Sequence, residues 1–192
     1  MLNWSIEKLT SSTAVPVSVA TLKTNLRLPE DCGTQDALLA SKSRAAGEQI
    51  EYDTGQALLL ATFQQNQDFM PIGSSPLQVQ IRPLASVSLF EYDDDNGDTQ
   101  ALVEGVDFEV ETARQLLTPV GEWPSGSNLR LQVVAGYGYD EDDLPAWAVE
   151  AILLQAGHWH IDPAMEVAEN FASDKAYERI VHRRIDPTYP VK

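Results

Sequence analysis

His158, His160 and Asp162 bring two imidazoles and a carboxylate within five residues, a donor set that invites a zinc or acid–base reading. On a helix each residue advances by about 100°, so His158 and His160 project about 200° apart and cannot easily share one ion. His158 and Asp162 are four apart and can pair, which is more often local capping than catalysis. A second cluster, Asp93-Asp94-Asp95-Asn96-Gly97-Asp98, is dense enough in carboxylates to suggest a calcium loop. Aligning Gly97 with the turn glycine of an EF-hand puts Tyr92 at the first ligand position and Val103 at the bidentate-glutamate position, so the motif fails. Asn96-Gly97 instead favours a type I′ hairpin turn. Gly136-Tyr137-Gly138-Tyr139-Asp140 has the look of a phosphate loop, but the third glycine is missing and Glu141-Asp142-Asp143 would repel phosphate. A flexible connection into a helix accounts for it better.

The chain has no Gly-x-Ser-x-Gly elbow, Walker sequence or His-Glu-x-x-His, and its carboxylates are too plentiful to single out an acid/base pair. Its one cysteine, Cys32, permits no internal disulfide and no thiolate metal cluster. The reading is therefore of a protein that is not an enzyme, with no catalytic residue, metal or cofactor assigned. A rival class is a stand-alone β-rich ligand-binding module or small hydrolase, in which Trp123, Tyr137, Tyr139 and carboxylates line a pocket; such aromatics more often belong to a core or an interface.

Twenty-nine acidic against 13 basic residues give a net charge of −16, which opposes any broad grip on nucleic acid or anionic lipid. With 43% hydrophobic residues, the 192-residue chain can build a core. The longest apolar stretch, around residues 146–154, contains Glu150 and is far short of the roughly 20 residues that span a bilayer, so no membrane role is expected. The N-terminus lacks the basic and apolar regions of a secretory signal, which predicts a soluble protein that starts its life in a cytoplasm. The charge is uneven: residues 1–56 carry −2, residues 57–135 carry −8 and residues 136–192 carry −6. From Lys175 onward the sign reverses to a local +3, ending in Asp186-Pro187-Thr188-Tyr189-Pro190-Val191-Lys192. Such a tail is commonly a frayed end. It also suits an arm docking on an acidic partner, with Tyr189 and Val191 as apolar anchors.

The elements that would carry these residues begin with a short helix capped by Ser18 and ended by Pro29. A longer helix follows, with Thr34 as cap and Gly55 as its terminating glycine. Residues 57–63 read as a buried strand and residues 67–76 as a polar loop. Strands are then expected at 79–81, 86–92, 99–103, 106–110, 115–118 and 129–135. Pro145 opens a helix to Ile161 that is apolar nearly all round, which implies burial on more than one side, including against another subunit. Residues 165–172 and 175–182 read as shorter helical pieces.

The order of these pieces resembles the head–tail connector, or adaptor, proteins of tailed bacteriophages. Leu22-Lys23-Thr24-Asn25-Leu26-Arg27-Leu28, Asp36-Ala37-Leu38-Leu39 and Ala45-Ala46-Gly47-Glu48-Gln49-Ile50-Glu51-Tyr52-Asp53-Thr54-Gly55 look like the family's first helix pair. Ile81-Arg82-Pro83-Leu84-Ala85-Ser86-Val87 resembles its proline-containing start of a strand. Trp123-Pro124, Val133-Val134-Ala135-Gly136-Tyr137 and the run from Leu144-Pro145-Ala146-Trp147 to Gly157-His158-Trp159 resemble its later strand, glycine-tyrosine turn and last core helix. The likeness runs in order over roughly residues 18 to 160; the collinear set carries it. Two positions depart from the family: Gln56 replaces a frequent arginine, and His160-Ile161-Asp162-Pro163 replaces its usual helix ending.

The resemblance implies an α+β fold: a small helical bundle core with a β-rich antiparallel insertion and an extended C-terminal arm. Residues 1–56 would form an N-terminal segment and helix pair, 57–135 the insertion, 136–174 the core helix and following segment, and 175–192 the basic arm. It further implies a dodecameric ring beneath the portal protein that encloses double-stranded DNA without sequence-specific binding and docks the next neck component. The location would be the virion neck, with assembly in the host cytoplasm; a stopper or tail-completion protein of the same neck is the alternative. Arg179, Arg183, Arg184, Tyr189 and Val191 are the expected portal-binding residues, and Trp147, Leu153, Leu154 and Trp159 the expected subunit interface. An acidic wall suits a conduit, because repelled phosphates do not stall sliding DNA.

Overall fold

The computed structural model describes residues 4–10, 14–31, 33–161, 174–182 and 184. The chain forms an α+β fold that divides into two compact units, each built from separate stretches of sequence. The β unit takes Met1–Ser12 and Leu60–Gly136, and the helical unit takes Thr13–Leu59 and Tyr137–Lys192.

Among the described residues the β unit holds eight antiparallel strands: β1 (Trp4–Lys8), β2 (Ala61–Phe69), β3 (Leu77–Gln78), β4 (Leu84–Asp93), β5 (Thr99–Ala101), β6 (Phe108–Glu111), β7 (Leu116–Pro119) and β8 (Ser127–Ala135). They form a five-stranded sheet in the order β1-β2-β8-β4-β5 and a three-stranded sheet in the order β3-β7-β6. Alternate residues of β8, Leu129, Leu131, Val133 and Ala135, are fully buried, while Arg130 and Gln132 take the other face, the period-2 signature of a sheet with one wet side. Phe90 of β4 meets Phe108 of β6 edge-on at 5.2 Å and Trp123 at 5.6 Å, closing the core.

Two sequence expectations change here. Residues 4–8, grouped above with the helix pair, are a strand paired with β2 from Trp4↔Gln67 to Lys8↔Phe63. The strand expected at 57–63 is shifted to 61–69 and takes in the first three residues of the stretch read as polar loop, because Gln65 and Gln67 bury their amides against backbone partners instead of turning outward. Gln65 accepts from the N–H of Gln80 (3.0 Å) and donates to the carbonyl of Gln78 (3.3 Å).

The helical unit contains α1 (Val19–Leu26), α2 (Asp36–Thr54), α3 (Ala146–Ile161) and α4 (Asp174–Val181). Ser18 caps α1 by accepting from the N–H of Thr21 (3.1 Å), as expected, and the helix closes at Arg27 in the left-handed region. The residue that caps α2 in position is Gln35, which gives no side-chain cap, and the expected cap Thr34 lies in a 3₁₀ turn, Gly33–Gln35, that leads into the helix. Gly55 ends α2 at φ +68°, a conformation glycine adopts without strain. Leu22 of α1, Leu39, Ala46 and Ile50 of α2, Ala148, Ala151, Ile152 and Ala156 of α3, and Tyr177 and Val181 of α4 share one core. Ser43 is buried there because its hydroxyl both donates to the carbonyl and accepts from the N–H of Val17.

Candidate functional site

The acidic hairpin tip directs its carboxylates at its own chain. Asp94 accepts the N–H groups of Asn96 (2.9 Å) and Asp98 (3.0 Å) and the amide of Gln100 (3.1 Å), and these backbone and side-chain donors lower its pKa. Asp93 accepts from Arg130 (2.8 Å), Asn128 (3.0 Å) and Thr99 (3.0 Å), which together bring its pKa down to about 2. Among the described residues no three His, Cys, Asp or Glu side chains converge as a metal site. The turn also differs from the type I′ expectation. The N–H of Gly97 donates to the Asp94 carbonyl and that of Asp94 to the Asp98 carbonyl; only Gly97, at φ +86°, has positive φ. The tip is a type I turn followed by a glycine bulge, since Asn96 keeps a negative φ.

The glycine-tyrosine segment is held, where sequence suggested flexibility. A side-chain carbon on Gly138 would collide with Asp143, whose carboxylate accepts the N–H of Tyr139 (2.8 Å). Tyr137 donates its hydroxyl to Gln56 (2.7 Å), and burial raises its pKa while nearby Arg184 opposes the rise. Trp123 is buried in the β unit and donates its indole N–H to the Ser75 carbonyl (2.7 Å). Tyr137 and Tyr139 belong to the helical unit.

His158 and His160 border a groove of about 570 Å³ in the helical unit, together with Leu26, Leu154 and Tyr177. Asp162 lies outside the described residues. Of the expected interface residues on α3, Trp147, Leu153 and Trp159 pack half-buried against the unit's own core, and Leu154 is 41% exposed.

The first part of the expected arm, from Lys175, packs on the helical unit. Residues 174–181 are helical, with Tyr177 and Val181 buried and the Tyr177 hydroxyl donating to Asp53 (2.7 Å). Arg184 is tied back: its carbonyl accepts from the Gln56 amide (2.8 Å) and its guanidinium lies 5.6 Å from the Trp147 ring. An expected portal residue and an expected interface residue thus meet within one subunit, and Gln56, noted above only as a departure, links Arg184 to Tyr137. Lys175 and Arg179 are exposed on α4. Arg183, Tyr189 and Val191 lie outside the described residues.

Sequence reading also missed a groove of about 870 Å³ in the β unit, bordered by Trp4, Phe69, Ile72, Leu77 and Trp123. Its only sequence signal is the apolar Phe69-Met70-Pro71-Ile72 inside an otherwise polar stretch.

No protein-family model and no curated protein matches the chain. Among solved structures, it is similar to a chain in the neck of an empty GTA particle computed with C6 symmetry, at TM-score 0.75 and 22% identity over 98% of both chains. A chain in the virion of a native gene transfer agent (GTA) particle aligns at TM-score 0.72 and 21% identity over 97% of this chain and 98% of the other. One in the neck of a native GTA particle computed with C12 symmetry aligns at TM-score 0.70 and 19% identity over 98% of both. At these identities the likeness is one of fold, and it extends across both units.

Proposed function

We propose that the protein is a structural adaptor in the head–tail neck of a phage-like particle. It forms a homo-oligomeric ring, a dodecamer, that carries the DNA channel from the portal protein to a stopper or tail-completion component. The observation that carries this reading is the fold match over 98% of the chain to neck chains, which takes in the β unit as well as the helical core. The chemistry of the described residues is compatible. The carboxylates described at the hairpin tip are committed to internal hydrogen bonds, and the net charge of −16 disfavours retention of DNA. A heterologous ring interface uses Leu154 and the rim of Trp147, Leu153 and Trp159, and closes without leaving a free edge. Lys175 and Arg179 on α4, beside Glu178, offer two exposed cations to an acidic portal surface. Assembly takes place in the host cytoplasm and the product resides in the virion neck.

Electron microscopy of the protein mixed with portal rings, or of particles carrying a tagged copy, tests the proposal. The expected image is a twelvefold ring at the portal's narrow end. A tagged protein absent from the neck would overturn it.

A further inference from the structure

The β-unit groove is uncharged throughout, in a chain of which 22% is charged. Phe69 and Ile72 on its border are 68% and 91% exposed, an apolar surface that the unit itself leaves uncovered. Trp4 borders it from β1, the edge strand of the five-stranded sheet. Aromatic walls without charge are the chemistry that receives proline-rich segments, whose preformed polyproline helix loses little entropy on docking.

The chain supplies such a segment. Arg184 is tied to Gln56 and Trp147, and residues 185–192 follow it in the sequence. These eight residues hold one aspartate and one lysine, so the side-chain charge of the arm is balanced beyond its anchored root. They contain Pro187-Thr188-Tyr189-Pro190, a Pro-x-x-Pro spacing that puts both prolines on one face of a helix with three residues per turn. At about 3.1 Å per residue the segment reaches about 25 Å.

We propose that residues 185–192 of one copy dock in the β-unit groove of the neighbouring copy, with Pro187 and Pro190 against the aromatic walls. The inference rests on the ring reading: in a heterologous ring each copy gives its arm to the next, and the last arm fills the first groove. Recognition is apolar, so it is insensitive to salt, in contrast to a basic arm on an acidic partner.

Cysteine pairing tests it in a Cys32→Ser background of the full chain, in free protein and in particles. A variant with Ile72→Cys and Val191→Cys should give a ladder of disulfide-linked oligomers on oxidation, and a mixture of the two single variants should give linked dimers. A labelled peptide of residues 185–192 should bind the full chain equally at low and high salt, roughly tenfold more weakly when Pro187 and Pro190 are alanine or when the protein carries Ile72→Asp. A purely intramolecular disulfide would put the arm on its own groove and overturn the proposal, as would the absence of any cross-link in both settings. Peptide binding that survives Ile72→Asp would overturn it as well. If the protein occupies necks but never cross-links, this inference fails and the adaptor reading stands; if it is absent from necks, the adaptor reading fails on its own evidence.

Discussion

Asp93 is one of 29 acidic residues, yet Arg130, Asn128 and Thr99 give it a pKa of about 2 against the ordinary 3.8. Because the folded value lies below the unfolded one, the stability these bonds provide is full above about pH 4 and is lost as pH falls toward 2. An NMR titration of the Asp93 carboxyl should find its midpoint near 2 and, in Arg130→Gln, a midpoint moved back toward 3.8; an ordinary midpoint in the parent protein would contradict the pairing. Nothing in the run Asp93-Asp94-Asp95-Asn96-Gly97-Asp98 marks Asp93 as the paired member, since its partners Arg130 and Asn128 come from a strand more than 30 residues away. Gly138 illustrates the same limit. Its motif was legible, but the reason for a glycine there, the closeness of Asp143, was not. Gly138→Ala should cost about 1–3 kcal/mol in urea unfolding, because Asp143 must give way and loosen its bond to the N–H of Tyr139.

Elements that announce themselves by caps and periodicity were read well. Ser18 and Gly55 mark the ends of α1 and α2, Pro145 the start of α3, and the strands from β4 onward fall near their expected places. β2 was misplaced because burial of its second half is polar: Gln65 is only 2% exposed, and no hydrophobicity pattern reports a buried amide that satisfies itself on neighbouring backbone. Gln65→Leu keeps the volume and removes the bonds, leaving the Gln80 N–H without its acceptor. We expect a loss of about 1–3 kcal/mol by chemical denaturation, with the strand content of the circular dichroism spectrum unchanged. An unaltered denaturation midpoint would show that the pair of bonds adds nothing net. β1 escaped notice for a different reason. Its five residues gain their meaning from a partner strand almost 60 residues away.

Across the molecule the charge divides evenly. The β unit holds 12 acidic and 4 basic residues, a net of −8, and the helical unit 17 and 9, also −8. Neither unit is a basic clamp. Purified protein should therefore leave duplex DNA unshifted in gels at physiological salt and at lower salt alike, and affinity that rises steeply as salt is removed would contradict the conduit reading. The α+β class and the likeness in fold to neck chains were legible from ordered motifs along the chain, whereas the place of residues 4–8 in the β unit was not; the polypeptide passes between the units three times, near residues 12, 59 and 136. That threading has a consequence for synthesis. The first strand waits for residues 61–69 before it can pair, and the first two helices wait about 100 residues for α3 to emerge and seal their core. A chain cut short before α3 can complete the β unit but leaves the helical core open, so in the proposed ring only a full-length copy fills a seat, and chain order itself supplies the quality control.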